Sequence, residues 1–298
     1  MFDEITTLYT TTIRMATPIL LASLGGALTY YAGIVNVAME GLMLISAFFS
    51  VVFSFMTGNA FLGILGGMAA SVIFSLIYTF FVSGLKANNF AIGFALNILV
   101  SSLTIFLTRV MFVGQNVFNS PKIVAIPSLD IHTGIYFIDN YILNFSVLTY
   151  VAIFLVFLFS FIIYKTTYGL HLRVCGEKPK ALVAGGIKVG YVQLIASILC
   201  GCLCGLAGSQ LSLYNVRMFS RDMTGGRGFV ALAVILIARG KPKYMILISF
   251  LFGFFDSLSL KLQNQAIPPQ FALMLPYVMS VVVMLVFYLK DKKKLETV

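Results

Sequence analysis

The chain has 298 residues, of which 60% are apolar and 10% charged, with a mean hydropathy of +1.00 and a net charge of +10. Soluble domains carry about 25% charge, so a water-soluble enzyme or binding module is excluded. The positive charge is parcelled into short links between apolar runs, which fits the positive-inside pattern of membrane proteins and speaks against a nucleic-acid partner.

Nine apolar segments run at roughly 15–35, 38–57, 60–84, 88–112, 146–164, 190–215, 227–238, 244–262 and 271–289. They predict one all-α polytopic transmembrane bundle spanning 1–298, with about 8–10 spans and broken or half-helices near 33–41 and 217–238. The N-terminus carries Asp3 and Glu4 and no basic stretch, so no signal peptide is expected. From Met15 to Leu85 the single charged side chain is Glu40. A charge at the centre of a membrane helix costs roughly 2.5–3.5 kcal/mol on insertion scales. A capped helix end, a wet cavity or a functional task must offset that cost. Residues 41–85 carry no charge and exceed the ~20 residues of one crossing, so Gly58-Asn59 is expected to turn the chain between two spans. Gly63 with Gly67, and Gly201, Gly205 and Ser209, repeat every four residues, the spacing of close helix packing in lipid. Asn97 is the lone amide in the middle of the uncharged run 87–108; it either bonds a neighbouring helix or faces a polar pathway.

The loop 113–145 holds Asp130, Asp139, Pro121 and Pro127 and offers a partner a docking place. The link 165–188 holds Lys165, Arg173, Lys178, Lys180 and Lys188. Lys86, Arg239, Lys241, Lys243 and the tail lysines 290 and 292–294 join it on one side if the spans alternate. That side is read as the cytoplasm, and nine crossings put the N-terminus outside. Within the link, Gly176 to Pro179 reads as a turn and helix start. Lys180 to Ala184 read as a short helix stopped at Gly185-Gly186. Such a loop suits either pushing by a soluble partner or binding of lipid headgroups. The stretch from Arg217 to Gly228 is charged and glycine-rich, and the apolar run after it is too short to cross. It reads as non-helical backbone leading into a half-helix, tolerated only when buried in protein or lining water.

No catalytic cluster is evident, and no base lies near a Ser or Cys nucleophile in the sequence. There is no P-loop pattern and no paired carboxylates on one face, and His132 and His171 are both assigned to loops. Cys200, Cys202 and Cys204 read as small core residues rather than metal ligands, since Cys202 points away from the other two on a helix.

Four motifs occur in order. They are Gly33-Ile-Val-Asn-Val-Ala-Met-Glu-Gly41 running on to Ala47; Ala95-Leu96-Asn97; Tyr168 to Ile187; and Met223-Thr-Gly-Gly-Arg-Gly-Phe-Val-Ala-Leu-Ala233. On these the chain resembles, from about residue 15 to 290, the permease subunit of ATP-binding-cassette importers of the branched-chain amino acid, simple sugar and nucleoside group. The Asn36/Glu40 pair and the Gly226-to-Phe229 run are most similar to the nucleoside branch. The resemblance implies alternating access in a bacterial cytoplasmic membrane, with no cofactor on this subunit and ATP hydrolysis in a separate ATPase subunit. It implies three protein partners: that ATPase, a second permease (a paralogue) and an extracellular substrate-binding lipoprotein. It assigns Asn36, Glu40, Asn97, Arg227 and Phe229 to lining or bracing the substrate pathway. Gly169, Arg173, Gly176, Glu177, Pro179, Ala181, Gly185 and Ile187, within a coupling loop at 165–190, are assigned to the ATPase contact. For Glu40 the structural alternative is pairing with backbone N–H groups at the broken helix; for Arg227 it is a salt bridge to Asp222 or Glu40. Permeases for simple sugars or branched-chain amino acids, and a stand-alone secondary carrier, are the rival readings.

Overall fold

Thirty residues form the first helix of the computed structural model, α1 (Phe2–Tyr31). The structure describes residues 2–112, 117–128 and 145–263, with helical positions at 274–275, 278–279, 281–282 and 285. The loop residues Asp130, His132 and Asp139, most of the segment expected at 271–289 and the tail lysines lie outside the described residues. Helix α1 starts well before the expected residue 15. Its polar first turns hold because Thr11 and Thr12 donate their hydroxyls to carbonyls four residues back, each at 2.7 Å. Pro18 inside the helix leaves the Arg14 carbonyl without its helical donor. Asn215 supplies one instead, its Nδ2 donating to that oxygen at 3.3 Å.

After a break come α2 (Met39–Thr57), α3 (Ala60–Thr79) and α4 (Asn89–Met111). Then follow α5 (Val147–Lys165), the two short helices α6 (Thr167–Glu177) and α7 (Pro179–Ala184), and α8 (Val189–Ser209). The described part ends with α9 (Arg227–Ala238) and α10 (Pro242–Gln263). Helices α3 and α8 each close in a π-helical stretch, Phe80–Gly84 and Gln210–Val216. Among the described residues seven helices are long and apolar enough to cross a membrane, and α9 is a shorter apolar helix. At 1.5 Å per residue its 12 residues reach about 18 Å, little more than half the hydrocarbon core.

Helices α1 and α2 form the centre: 78% and 72% of their spans are buried, against 28% for α3 and 22% for α4. Glycines set the closest approaches. Gly63 and Gly67 lie on Ser50 and its neighbours in α2, while Gly201 and Gly205 lie on the backbone of α3 at Val72 and Met68. Ser209 closes that seam with its hydroxyl 2.7 Å from that of Ser50. Gly58, at φ +63°, turns the chain between α2 and α3, and Asn59 caps α3 by accepting from Phe61 N–H at 2.8 Å.

The basic links gather at one end. Gly33 lies against Gly176, Gly240 lies against Tyr30 and Tyr31, and Ser83 bonds Gln193. The opposite end carries a two-residue antiparallel pairing of β1 (Val117–Phe118) with β2 (Phe219–Ser220). Since α1 finishes at the basic end, it begins at the other.

Candidate functional site

The backbone between α1 and α2 leaves helical geometry from Ala32 to Ala38, where Gly33 takes φ +81°. Inside a membrane each freed polar group needs a partner, and side chains from three helices supply them. Gln193 Nε2 donates to the Ala32 carbonyl at 3.2 Å, Tyr78 Oη to Val35 at 3.0 Å and Asn97 Nδ2 to Val37 at 3.0 Å. Asn36 folds back so that its Oδ1 accepts from Ala38 N–H at 3.0 Å. Asn97 Oδ1 accepts from Gly41 N–H at 2.8 Å, so this one amide satisfies both sides of the break. Gly93 and Gly41 make that approach possible; a side chain at either would collide with Val37 or with Asn97. Asn97 lies eight residues into α4, about 12 Å along the helix.

Glu40, in the first turn of α2, faces the start of the half-helix α9. Its Oε1 accepts from Gly226 N–H at 2.8 Å and from the Thr224 hydroxyl at 2.5 Å; its Oε2 accepts from Gly228 N–H at 2.7 Å. The carboxylate thus caps the positive end of α9, where charge-assisted bonds and the helix dipole favour an anion. Gly225 and Gly226 hold left-handed backbone, φ +53° and +78°, as the chain turns into that helix. A Cβ at Gly228 would strike Glu40 itself.

Arg227 points the other way. It meets Asp256 of α10, with Nε and Nη2 both 3.0 Å from Oδ2, and each side chain is 18% exposed. The expected partners, Glu40 and Asp222, are otherwise engaged. Glu40 is taken by backbone donors, and Asp222 by Arg221 Nε at 3.2 Å and the Ser101 hydroxyl at 2.7 Å. The Arg227–Asp256 pair fastens the top of α9 to α10.

Between α2, α4 and the entry to α9 lies a cavity of about 310 Å³. Glu40, Asn97 and Phe229 line it, together with Phe94, Ser101, Ser102, Asp222 and Thr224. Phe94 and Phe229 are stacked, with centroids 6.0 Å apart and planes at 29°. Of the five residues assigned to the pathway, three therefore meet in one cavity. Asn36 is 2% exposed and braces the break, its Nδ2 donating to Cys200 Sγ at 3.4 Å. Arg227 braces α9. Phe94, Ser101 and Ser102 were not singled out from sequence, and Asp222 was named there only as a partner for Arg227. Phe94, Ser101 and Ser102 share the face of α4 near Asn97, a helical spacing that points to them once Asn97 is placed.

At the basic end, 167–177 is helix rather than loop, so His171 and Gly176 sit on α6 and the following helix starts at Pro179. Thr166 caps α6 by accepting from Gly169 N–H at 3.2 Å. Gly169 packs on the carbonyls of Ile162 and Ile163, and Gly176 packs on that of Tyr31. Arg173 lies 5.8 Å over the Tyr164 ring, and Cys175 Sγ is 3.5 Å from the Ala32 carbonyl. Burial raises the Cys175 thiol above its ordinary pKa and pushes Tyr168 up to about 12. Leu182 is buried and Ile187 half-buried, while Glu177, Lys178, Pro179, Lys180, Ala181 and Gly185 are exposed. The coupling-loop residues therefore divide into a packed base and an exposed tip.

Among the described residues no group of His, Cys, Asp or Glu could hold a metal ion. Cys200 and Cys204 are buried and Cys202 is half-buried.

The model of the branched-chain amino acid transport system permease component family matches residues 8–285. The chain belongs to this family. The permease is 31% identical over 286 residues to the guanosine ABC transporter permease protein NupQ of Bacillus subtilis, covering 91% of this chain and 88% of that protein. It is 31% identical over 283 residues to the nucleoside ABC transporter permease protein NupC of Lactococcus lactis, covering 91% and 89%. Its fold is similar to that of a chain in PsaBC from Streptococcus pneumoniae in complex with Fab, with a TM-score of 0.52, 14% identity, and coverage of 94% and 90%. The permease is a multi-pass membrane protein and a transport component.

Proposed function

We propose that this permease is the transmembrane subunit of an ATP-driven importer for nucleosides in a bacterial cytoplasmic membrane. The observation that carries this reading is the cavity itself. It joins a stacked pair of phenylalanines to a polar row of hydroxyls and carboxylates, at the level where two helices are broken. A nucleoside has the same division, a flat base and a hydroxylated sugar. Base–aromatic stacking is worth about 1–3 kcal/mol. The cavity is at the small end of ligand pockets, about 300–1,000 Å³. It borders the exposed face of α4 at Phe94 and Ile98, which leaves a second permease subunit to close it. The names of the two relatives support nucleosides over simple sugars or branched-chain amino acids.

The exposed tip from Glu177 to Ala181 receives the ATPase. Its packed base touches Tyr31, Ala32 and Gly33, where the break begins, so a push on the tip reaches the backbone that Asn97 and Glu40 hold. An extracellular binding lipoprotein delivers substrate at the opposite end. A stand-alone carrier has no use for this exposed tip.

Affinity purification of the tagged chain in mild detergent, with mass spectrometry, tests the assembly. An ATPase, a second permease and a substrate-binding lipoprotein are the expected companions. Recovery of the chain alone, with transport that runs without ATP, would refute it.

A further inference from the structure

Asp222 lines the cavity, where a bond from Ser101 ties the stretch ahead of α9 to α4. It sits in left-handed backbone, φ +49°, in the stretch that precedes α9. Ser101 of α4 donates to its Oδ1 at 2.7 Å and Arg221 to its Oδ2 at 3.2 Å. Its side chain is 53% exposed, so acceptor positions on both oxygens stay open to the cavity. Along α4 the cavity wall runs from Phe94 to Ser101, seven residues or about 10 Å. The aromatic pair lies at one end of that wall and Asp222 with Ser101 at the other. A carboxylate is the acceptor that proteins use for a ribose 2′-hydroxyl, and a fixed one gains more from a bond than a mobile one.

We infer that Asp222, oriented by Ser101, accepts the hydroxyls of the sugar and makes the permease select ribonucleosides over 2′-deoxynucleosides. The inference rests on the nucleoside reading above and adds to it a residue that sets specificity. With the base on Phe94 and Phe229, the sugar diol falls at the carboxylate. A 2′-deoxy substrate leaves Asp222 one hydroxyl short. A hydrogen bond to a charged group is worth enough to give about a tenfold preference.

The test uses the whole transporter in cells without other nucleoside uptake. Initial rates are measured for tritiated adenosine, guanosine and uridine, each against its 2′-deoxy counterpart, in wild type, Asp222→Asn and Ser101→Ala. The binding protein is the same in all three strains, so a change in the ribo-to-deoxy ratio reports on the permease. The expected result is a ratio that falls about tenfold in Asp222→Asn and by less in Ser101→Ala, because the ribo substrate loses more than its deoxy counterpart. An unchanged ratio, or an equal loss of both substrates in both variants, would overturn the inference while ribonucleoside uptake by wild type leaves the nucleoside reading standing. If the wild type takes up no nucleoside, that reading fails and this inference with it.

Discussion

Glu40 and Asn97 are polar residues placed where the backbone is broken, and each answers groups that helix formation would otherwise have satisfied. Glu40 accepts three hydrogen bonds from the entry to α9. In Glu40→Gln one oxygen becomes an NH2 that faces an N–H donor. The cost should be about 1.5–3 kcal/mol, seen as a lower midpoint of thermal unfolding in detergent, together with reduced uptake by an assembled complex. A midpoint and uptake equal to wild type would contradict any role for its charge. Asn97→Leu leaves the Val37 carbonyl and the Gly41 N–H without partners. It should destabilise at least as much, about 2–3 kcal/mol, on the same thermal measurement.

At the scale of elements, α9 is a half-helix held at its start from two sides, by Glu40 of α2 and, through Arg227, by Asp256 of α10. The pair is half-buried, and removing one member of such a pair leaves the other's charge poorly solvated. Arg227→Gln and Asp256→Asn should each destabilise by about 3 kcal/mol, and the double variant by clearly less than the sum. Additive losses in the double-mutant cycle would show that the pair does not bind α9 to α10. That partner could not be read from the sequence, because Asp256 lies on another helix and one-dimensional order says nothing about which helices pack. The broken helix at 33–41 was legible, since a lone carboxylate beside glycine in an apolar run needs donors that an unbroken helix does not offer. Helix α6 was harder to see because Gly176 reads as a turn residue and Gly169 is a weak helix former. They serve instead to let α6 lie against the carbonyls of α5 and of Tyr31. The helical spacing of Tyr168, Leu172 and Cys175 was the signal that the glycines obscured. The polar start of α1 escaped for a similar reason: threonine hydroxyls bonded back to the helix do the work that apolar pattern does elsewhere.

Over the whole molecule, one line of contacts runs from the exposed tip of α7 through α6 and the end of α1 to the break, and from there to the cavity. If the ATPase docks on that tip, a cysteine placed at Ala181 should react quickly with a maleimide in the free permease. It should be protected severalfold once the ATPase is bound. Native Cys175, 3% exposed under Ala32 with its thiol pKa raised by burial, should react slowly in both states. Equal labelling of the tip with and without ATPase would place the coupling contact elsewhere. The sequence located this loop and its basic end, while the partition into a buried base and an exposed tip emerged only when the helices were packed.

The most direct test is uptake by the purified complex in proteoliposomes. The permease, its companion permease and the ATPase are reconstituted, supplied with the binding protein outside and ATP inside, and given a labelled nucleoside. Accumulation that depends on ATP and is reduced in Glu40→Gln is the predicted result. Accumulation of a sugar or a branched-chain amino acid instead, or nucleoside entry that proceeds equally without ATP, would contradict the account.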